Sequence, residues 1–284
     1  MMSLRWGERT YVMGIINLTA DSFSGDGLAP PGRSEAEVLA AALQQARAYV
    51  EAGAHILDVG AESSRPAQFY GEHPPMDAEV EAAIAVPVVA GLARTFEGRA
   101  LVSIDTTKGD VARTALAAGA TIVNDVWAAR RDPSTALAAA EADAYLVLLH
   151  NQEVAEYPDG LFQTVVDHLR RAVDDAVAAG VARERLIVDP GIGFGKTPAH
   201  SLEILHRLAE LKVALGDLPL LVGTSRKRFI GELLDGAPPR ERVEGTAASV
   251  ALAIAAGADI VRVHDVKEIM KTVRVTDAIV RWPS

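Results

Sequence analysis

A single (β/α)8 barrel, an α/β fold with its active site at the C-terminal ends of the strands, is what this sequence predicts. Three observations predict it. Eight short apolar, β-branched runs stand out, at residues 12–16, 55–59, 101–104, 121–123, 145–149, 186–188, 220–222 and 260–263. Helical patterns lie between them. The length of 284 residues suits one such barrel, which typically needs about 250 residues. The runs are often continuously apolar, as parallel strands covered on both faces should be. No linker or composition shift divides the chain, so residues 1–284 are expected to form one domain. A doubly wound open sheet is the alternative architecture.

The helices follow from local signals. After the first run, Ser34-Glu35-Ala36-Glu37 spells a capping box. It opens an alanine-rich helix to about Ala52, which Gly53 can terminate. Asp132-Pro133 and Thr197-Pro198 each read as an N-cap followed by proline at the first helical position. Residues 161–179 carry Val165, Val166, Leu169, Val173 and Val177 at helical spacing. Gly119, Gly180 and Gly257 stand where helices should stop.

Composition excludes several classes of function. Hydrophobic residues make up 49% of the chain, too many for a disordered protein. Cysteine is absent, which excludes disulfides, thiolate metal sites and a cysteine nucleophile. Lys+Arg 28 against Asp+Glu 38 gives a net charge of −10. Such a chain is a poor match for nucleic acid or an anionic membrane surface. No apolar run is long enough to span a bilayer, and no leader pattern is visible, so a cytoplasmic location is expected.

Every apolar run delivers polar groups at its C-terminal end. The first leads to Asn17, the second to Glu62, Ser63, Ser64 and Arg65, and the third to Asp105. The fourth ends in Asn124 and Asp125, the fifth in His150 and Asn151, and the sixth in Asp189. The seventh leads to Thr224, Ser225, Arg226 and Lys227, and the eighth carries Arg262, His264 and Asp265. Any one of these could cap the next helix. In a barrel, all of them together describe one polar mouth. Two apparent motifs fail. Residues 191–197 end like a phosphate loop, but Pro190 stands where its first glycine belongs. Lys196 likewise occupies the last glycine of a dinucleotide fingerprint. The glycines of this stretch would let backbone approach a flat ligand closely. No histidine shows metal-ligand spacing.

The motifs in order resemble those of the dihydropteroate synthases. They are Met13-Gly14-Ile15-Ile16-Asn17-Leu18-Thr19-Ala20-Asp21-Ser22-Phe23-Ser24 and Asp58-Val59-Gly60-Ala61-Glu62-Ser63-Ser64-Arg65-Pro66. Ser103-Ile104-Asp105-Thr106, Asn124-Asp125-Val126-Trp127 and Asp189-Pro190-Gly191-Ile192-Gly193-Phe194-Gly195-Lys196 follow. Gly223-Thr224-Ser225-Arg226-Lys227, Glu244-Gly245-Thr246-Ala247 and Arg262-Val263-His264-Asp265-Val266 complete the set. The resemblance implies a transferase that joins 6-hydroxymethyl-7,8-dihydropterin pyrophosphate to p-aminobenzoate, releasing pyrophosphate and 7,8-dihydropteroate. A pterin-binding paralogue without activity and a methyltetrahydrofolate methyltransferase are the alternatives.

The resemblance also assigns roles. Asp105, Asn124, Asp189 and Lys227 would bind the pterin, with Asp189 accepting two adjacent donors from its edge. Asn17, Arg65, Arg262 and His264 would receive the pyrophosphate, where charge develops as it leaves. Lys227, Arg262 and His264 would be catalytic. Asn17 would contact a diphosphate-bound Mg²⁺, which uses few protein ligands. Phe23, Ser64, Arg65, Pro66, Phe194 and Ser225 would form the p-aminobenzoate pocket, with the carboxylate near Ser225 and the next helix N-terminus. A homodimer through exterior helices, including residues 246–256, is implied, and the family that the chain resembles is a sulfonamide target. Some positions depart from the family pattern. Ala20 replaces a usual proline, Ala61 a glycine and Ser64 a threonine, Gly25-Asp26-Gly27 replaces Asp-Gly-Gly, and the segment after His150 is short.

Overall fold

A computed structural model describes residues 3–19, 27–29, 32–62 and 76–282. Eight parallel strands make one sheet: β1 Tyr11–Asn17, β2 Ile56–Gly60, β3 Leu101–Asp105, β4 Ile122–Asp125, β5 Tyr145–Leu149, β6 Leu186–Asp189, β7 Leu221–Val222 and β8 Ile260–Val263. Their order is β6-β5-β4-β3-β2-β1-β8-β7. The ends of that order meet through a parallel bridge between Val188 and Leu220. The Val188 N–H also donates to the Pro219 carbonyl at 2.9 Å. The sheet is therefore a barrel, and the open-sheet alternative is excluded.

The helices among the described residues cover its outside. They are α1 Glu35–Ala52, α2 Ala78–Thr95, α3 Gly109–Ala117, α4 Ser134–Glu141, α5 Leu161–Ala178, α6 Pro198–His206, α7 Leu208–Ala214, α8 Arg228–Leu233, α9 Val243–Ala255 and α10 Val266–Val280. Local signals set their ends as expected. Ser34 and Glu37 form the reciprocal capping box of α1, and Gly53 ends it at φ 109°. Thr197 accepts from the His200 N–H and Pro198 opens α6. Asp132 does more than cap α4. It accepts from the Ser134 N–H at 3.0 Å and from the Gly109 N–H at 2.6 Å, so it fastens the start of α3 as well.

Several strands run past their apolar stretch. Asn17, Gly60, Asp105, Asn124, Asp125 and Asp189 all belong to strands. The apolar pattern stops at the first polar side chain, whereas backbone pairing does not depend on side-chain polarity. β7 is shorter than its run, because Leu220 makes only the closing bridge.

Alternation then decides what faces the barrel axis. Tyr11, Met13, Ile56, Leu101, Ile122, Tyr145, Val147, Ile187, Leu221 and Ile260 form one buried cluster, the floor of the barrel, closed below by Leu4 and Trp6. Two residues further along the same strands come Asp58, Ser103, Asn124, Asp189, Gly223 and Arg262. Two more bring Gly60, Asp105 and His264. The opposite parity, for example Ile16, Leu57, Val59, Ile104, Val123, Leu146 and Val188, packs against the helices. One apolar layer thus carries polar layers stacked above it. No helix among the described residues is long and apolar enough to cross a membrane.

Truncating the floor should open a cavity beneath the polar layers. Ile187→Ala is expected to cost about 2–5 kcal/mol, read as a lower denaturation midpoint in urea with little change of slope.

Candidate active site

A pocket opens at the C-terminal end of the barrel. Asn17, Asp105, Asn124, Asp189, Phe194, Ser225, Lys227, Arg262 and His264 line it, with Lys196, Glu62 and Thr19. Of the strand-end residues expected to converge, Asn17, Glu62, Asp105, Asn124, Asp189, Ser225, Arg226, Lys227, Arg262 and His264 line it, whereas Asp125, His150, Asn151, Thr224 and Asp265 do not. Phe23, Ser64, Arg65 and Pro66 lie outside the described residues.

Arg262 ties the lower layer together. Its Nε donates to Asp58 Oδ2 at 2.6 Å and its Nη2 to Asp105 Oδ2 at 2.7 Å. Asn124 Nδ2 donates to the same Asp58 oxygen at 3.2 Å. One guanidinium therefore serves two carboxylates brought to the axis by β2 and β3. Asp58 is fully buried, and such a charge needs a partner. Burial and the nearby carboxylates of Asp58, Glu81 and Asp125 raise the Asp105 pKa, against the pull of Arg262.

Asp189 ends β6 deep in the pocket. Its Oδ1 accepts from the Gly191 N–H at 2.7 Å. Burial raises its pKa to about 6, while that hydrogen bond, Lys227, Lys196 and Arg262 pull the other way. Lys227 Nζ sits 4.2 Å from the centre of the Phe194 ring, a cation–π contact.

The turn after β7 presents Ser225 and Lys227. Its middle residue, Arg226, has φ 58°, a strained value for a side chain of this size. Asp265 holds the Arg226 guanidinium with both oxygens, at 2.9 and 2.5 Å. The Arg226 N–H donates to Thr246 Oγ1, and Arg242 donates to the Arg226 carbonyl. Ser225 Oγ accepts from the His264 N–H at 3.1 Å and lies 3.0 Å from His264 Nδ1.

Three expectations need correction. The glycines of residues 191–195 are not there chiefly for a ligand. A Cβ on Gly191 would lie 1.9 Å from the His150 carbonyl oxygen, and one on Gly195 2.4 Å from that of Gln152. Those glycines let the turn pack on the segment after β5, and only Gly193 faces a site side chain, that of Lys227. The helix after β7 is only six residues long, so it offers a weak dipole to an anion. Finally, not every strand-end polar group faces the mouth. Asp125 accepts from the Trp127 and Ala129 N–H groups and from Thr135 Oγ1, and so shapes the turn after β4.

Asp58, Lys108 and Lys196 were not singled out from sequence. Asp58 carries a signal, since a carboxylate inside an apolar run needs a buried partner. Lys108 bonds Glu62 at the pocket edge and the buried Glu81 of α2, at 2.5 Å for Glu81. Nothing in its local sequence points to this. Lys196 was set aside together with the failed phosphate-loop pattern.

Comparison with known proteins agrees with this geometry. The family described as "Pterin binding enzyme" matches residues 13–264. The chain is 43% identical over 278 residues to dihydropteroate synthase of Bacillus subtilis, covering 98% of this chain and 91% of the relative. It is similar to the crystal structure of dihydropteroate synthase from Clostridium difficile in the presence of pteroic acid, with TM-score 0.89 and 42% identity, covering 98% of this chain and all of that one. A further similar structure is Xanthomonas albilineans dihydropteroate synthase with 4-aminobenzoic acid, with TM-score 0.85 and 36% identity over 97% of this chain and 95% of that one.

Removing the shared guanidinium strands two buried carboxylates. Arg262→Met is expected to cost about 3–5 kcal/mol of stability, and adding Asp58→Asn should return part of it. Chemical denaturation of both variants measures this, and parent-like stability of Arg262→Met would refute the role of the guanidinium.

Proposed function

Because this chain belongs to the pterin-binding enzyme family and, within it, to the dihydropteroate synthases, we propose that its pocket divides into a pterin floor, a pyrophosphate rim and an arylamine side. The reaction transfers the dihydropterin, through its exocyclic CH2, from the pyrophosphate oxygen to the amine nitrogen of p-aminobenzoate.

One observation carries the floor. Among the described residues, Asp189 Oδ2, Asp105 Oδ1 and Asn124 Oδ1 have no protein donor, although all three side chains are buried against the pocket. Unmatched acceptor oxygens suit the edge of a pterin, which offers an N–H and an amino group side by side. Asp189 would accept that pair. Asn124 and Asp105 would take the remaining ring donors. Lys227 is the cation on this floor and would donate to the pterin carbonyl and ring nitrogen.

The rim comprises Asn17, Arg262 and His264, with Arg65 added from sequence. In the reaction a C–O bond to pyrophosphate breaks and a C–N bond to the arylamine forms. The arylamine proton leaves to solvent or to the departing group. Negative charge grows on the leaving oxygens, and fixed donors at that point lower the barrier. Arg262 keeps its Nη1 donors beyond the two carboxylates it holds. His264 abuts Ser225 and is turned by it. No protein nucleophile is required.

Mg²⁺ belongs to this reading through Asn17. Asn17 Oδ1 accepts from the Thr19 N–H at 3.0 Å and from Thr19 Oγ1 at 2.8 Å. The backbone donor fixes the amide orientation, and both contacts of the oxygen are to Thr19. A cation would replace the hydroxyl contact and keep the N–H. No cluster of three metal-ligating side chains exists among the described residues. One neutral oxygen plus substrate oxygens and water fits a hard ion that keeps much of its hydration. When bound, the ion would neutralise charge on the diphosphate.

Phe194 and Ser225, with Phe23, Ser64, Arg65 and Pro66, would form the arylamine side. The positive charges of the turn after β7, rather than its short helix, would attract the carboxylate. Exposed Leu252 of α9 and exposed Val275 and Ile279 of α10 support a homodimer through these packed helices. A cytoplasmic location completes the reading, supported by the lack of a membrane-crossing helix among the described residues.

Pyrophosphate release from the pterin substrate tests the reading directly. It should require p-aminobenzoate and rise with Mg²⁺; release indifferent to p-aminobenzoate would overturn it. Asp189→Ala should abolish pterin binding in calorimetry, and parent-like affinity would refute the floor. Acid should weaken pterin binding in the parent, because the ligand needs ionised Asp189. Below about pH 6 the affinity is expected to fall about tenfold per pH unit. Folding responds in the opposite sense. Between about pH 6 and the unfolded value of 3.8 the native Asp189 binds the proton more tightly, so this group makes the unliganded protein more stable as pH falls.

A further inference from the structure

Lys196 is a buried cation that the reaction does not use. It is 2% exposed and sits in the turn between β6 and α6. Buried ammonium groups are normally paired with carboxylates. Among the described residues no carboxylate oxygen lies within 4.0 Å of Lys196 Nζ. Its Nζ lies 2.7 Å from His150 Nδ1 and donates to the Phe194 carbonyl at 3.2 Å, with the His150 carbonyl at 3.5 Å. Burial lowers the Lys196 pKa to about 7, against the pull of Asp189; in its charged form the group has only donors, and His150 Nδ1 is then the acceptor of a neutral ring. Burial and the Lys196 charge push the His150 pKa far below its ordinary value, which agrees with a neutral ring. His168 packs edge-on against it at 4.7 Å.

The same turn has two further clamps from the segment after β5. Gly191 packs on the His150 carbonyl, and Tyr157 donates its hydroxyl to the Gly195 carbonyl at 2.6 Å. The turn presents Ile192, Gly193, Phe194 and Lys196 to the pocket, and Gly193 and Phe194 are the ones that meet Lys227. A Cβ on Gly193 would meet Lys227 Cδ at 3.2 Å, and the Phe194 ring lies under the Lys227 ammonium. The seat of Lys227 is therefore built on a carbonyl that Lys196 holds.

We propose that Lys196 is a positioning residue for the pterin end of the site: bonded to His150 Nδ1 and to the Phe194 carbonyl, it fixes the turn on which Gly193 and Phe194 seat Lys227. The inference rests on the pterin floor described above. It explains why a buried lysine is tolerated without a counter-ion. Its acceptors are a neutral imidazole and backbone, so no further negative charge is added near Asp189, Asp105 and Asp58.

Calorimetry with 6-hydroxymethylpterin, together with the KM for p-aminobenzoate, tests it on the full chain. Lys196→Met should weaken pterin binding by about tenfold or more, equal to about 1.4 kcal/mol; the KM for p-aminobenzoate should rise by less, because Phe194 also belongs to the arylamine side. His150→Leu should weaken pterin binding likewise, whereas His150→Gln, which keeps an acceptor oxygen, should restore it. The Lys196→Met/His150→Leu double variant should bind no worse than the weaker single variant, because both remove one interaction. Parent-like pterin affinity of Lys196→Met, fully additive losses, or a His150→Gln as weak as His150→Leu would each overturn the proposal. If Lys196→Met does not fold, the two His150 variants decide by the same readout. A parent protein that fails to bind 6-hydroxymethylpterin overturns the floor and this inference together. A parent that binds, with unaffected variants, overturns the inference alone.

Discussion

Two carboxylates share the guanidinium of Arg262 inside the barrel, and the upper half of the molecule depends on that contact. β2 and β3 place Asp58 and Asp105 on the axis, and β8 brings Arg262 between them. The alternation of strand side chains leaves no other direction for these residues. Below them the axis is filled with apolar side chains, which offer no polar group to take the place of a missing partner. The pairing fixes Asp105 and, through Asp58, Asn124. These residues form part of the pocket floor, so the geometry that holds the fold also orients the site.

A second set of contacts holds the turns rather than the floor. Arg226 is kept in a strained backbone conformation by Asp265, Thr246 and Arg242, and that strain points Ser225 and Lys227 at the mouth. Asp132 fastens two helix starts, and Asp125 closes the turn after β4. Lys196 ties the turn after β6 to His150. The strand ends thus do two jobs. Inward side chains line the pocket, and the groups beside them brace the loops. This arrangement also reconciles an overall charge of −10 with an anionic substrate. Lys196, Arg226, Lys227, Arg228 and Arg262 line one pocket against the carboxylates of Glu62, Asp105 and Asp189, so basic side chains outnumber acidic ones there although the whole chain is acidic.

The fold was legible because its signals are local. Eight apolar runs, a capping box at Ser34 and glycines such as Gly53, Gly119 and Gly180 are each read within a few residues, and each lies where the structure has it. The site was legible at Asn17, Asp105, Asn124, Asp189, Lys227 and Arg262 because barrel topology sends strand ends to one place. What escaped depends on distance in sequence. Arg262 meets Asp58 across 204 residues, and Lys196 meets His150 across 46. No spacing rule records such pairs. Gly191 and Gly195 were misread for a related reason, because the backbone they pack against comes from another strand's loop.

A crystal structure with a pterin ligand in the pocket tests the account most directly. The account predicts the pterin edge on Asp189 and Asn124, Lys227 over the ring beside Phe194, and Arg262 still bonded to both Asp58 and Asp105. A pterin bound elsewhere, or an Arg262 that leaves the carboxylates to reach the ligand, would contradict it.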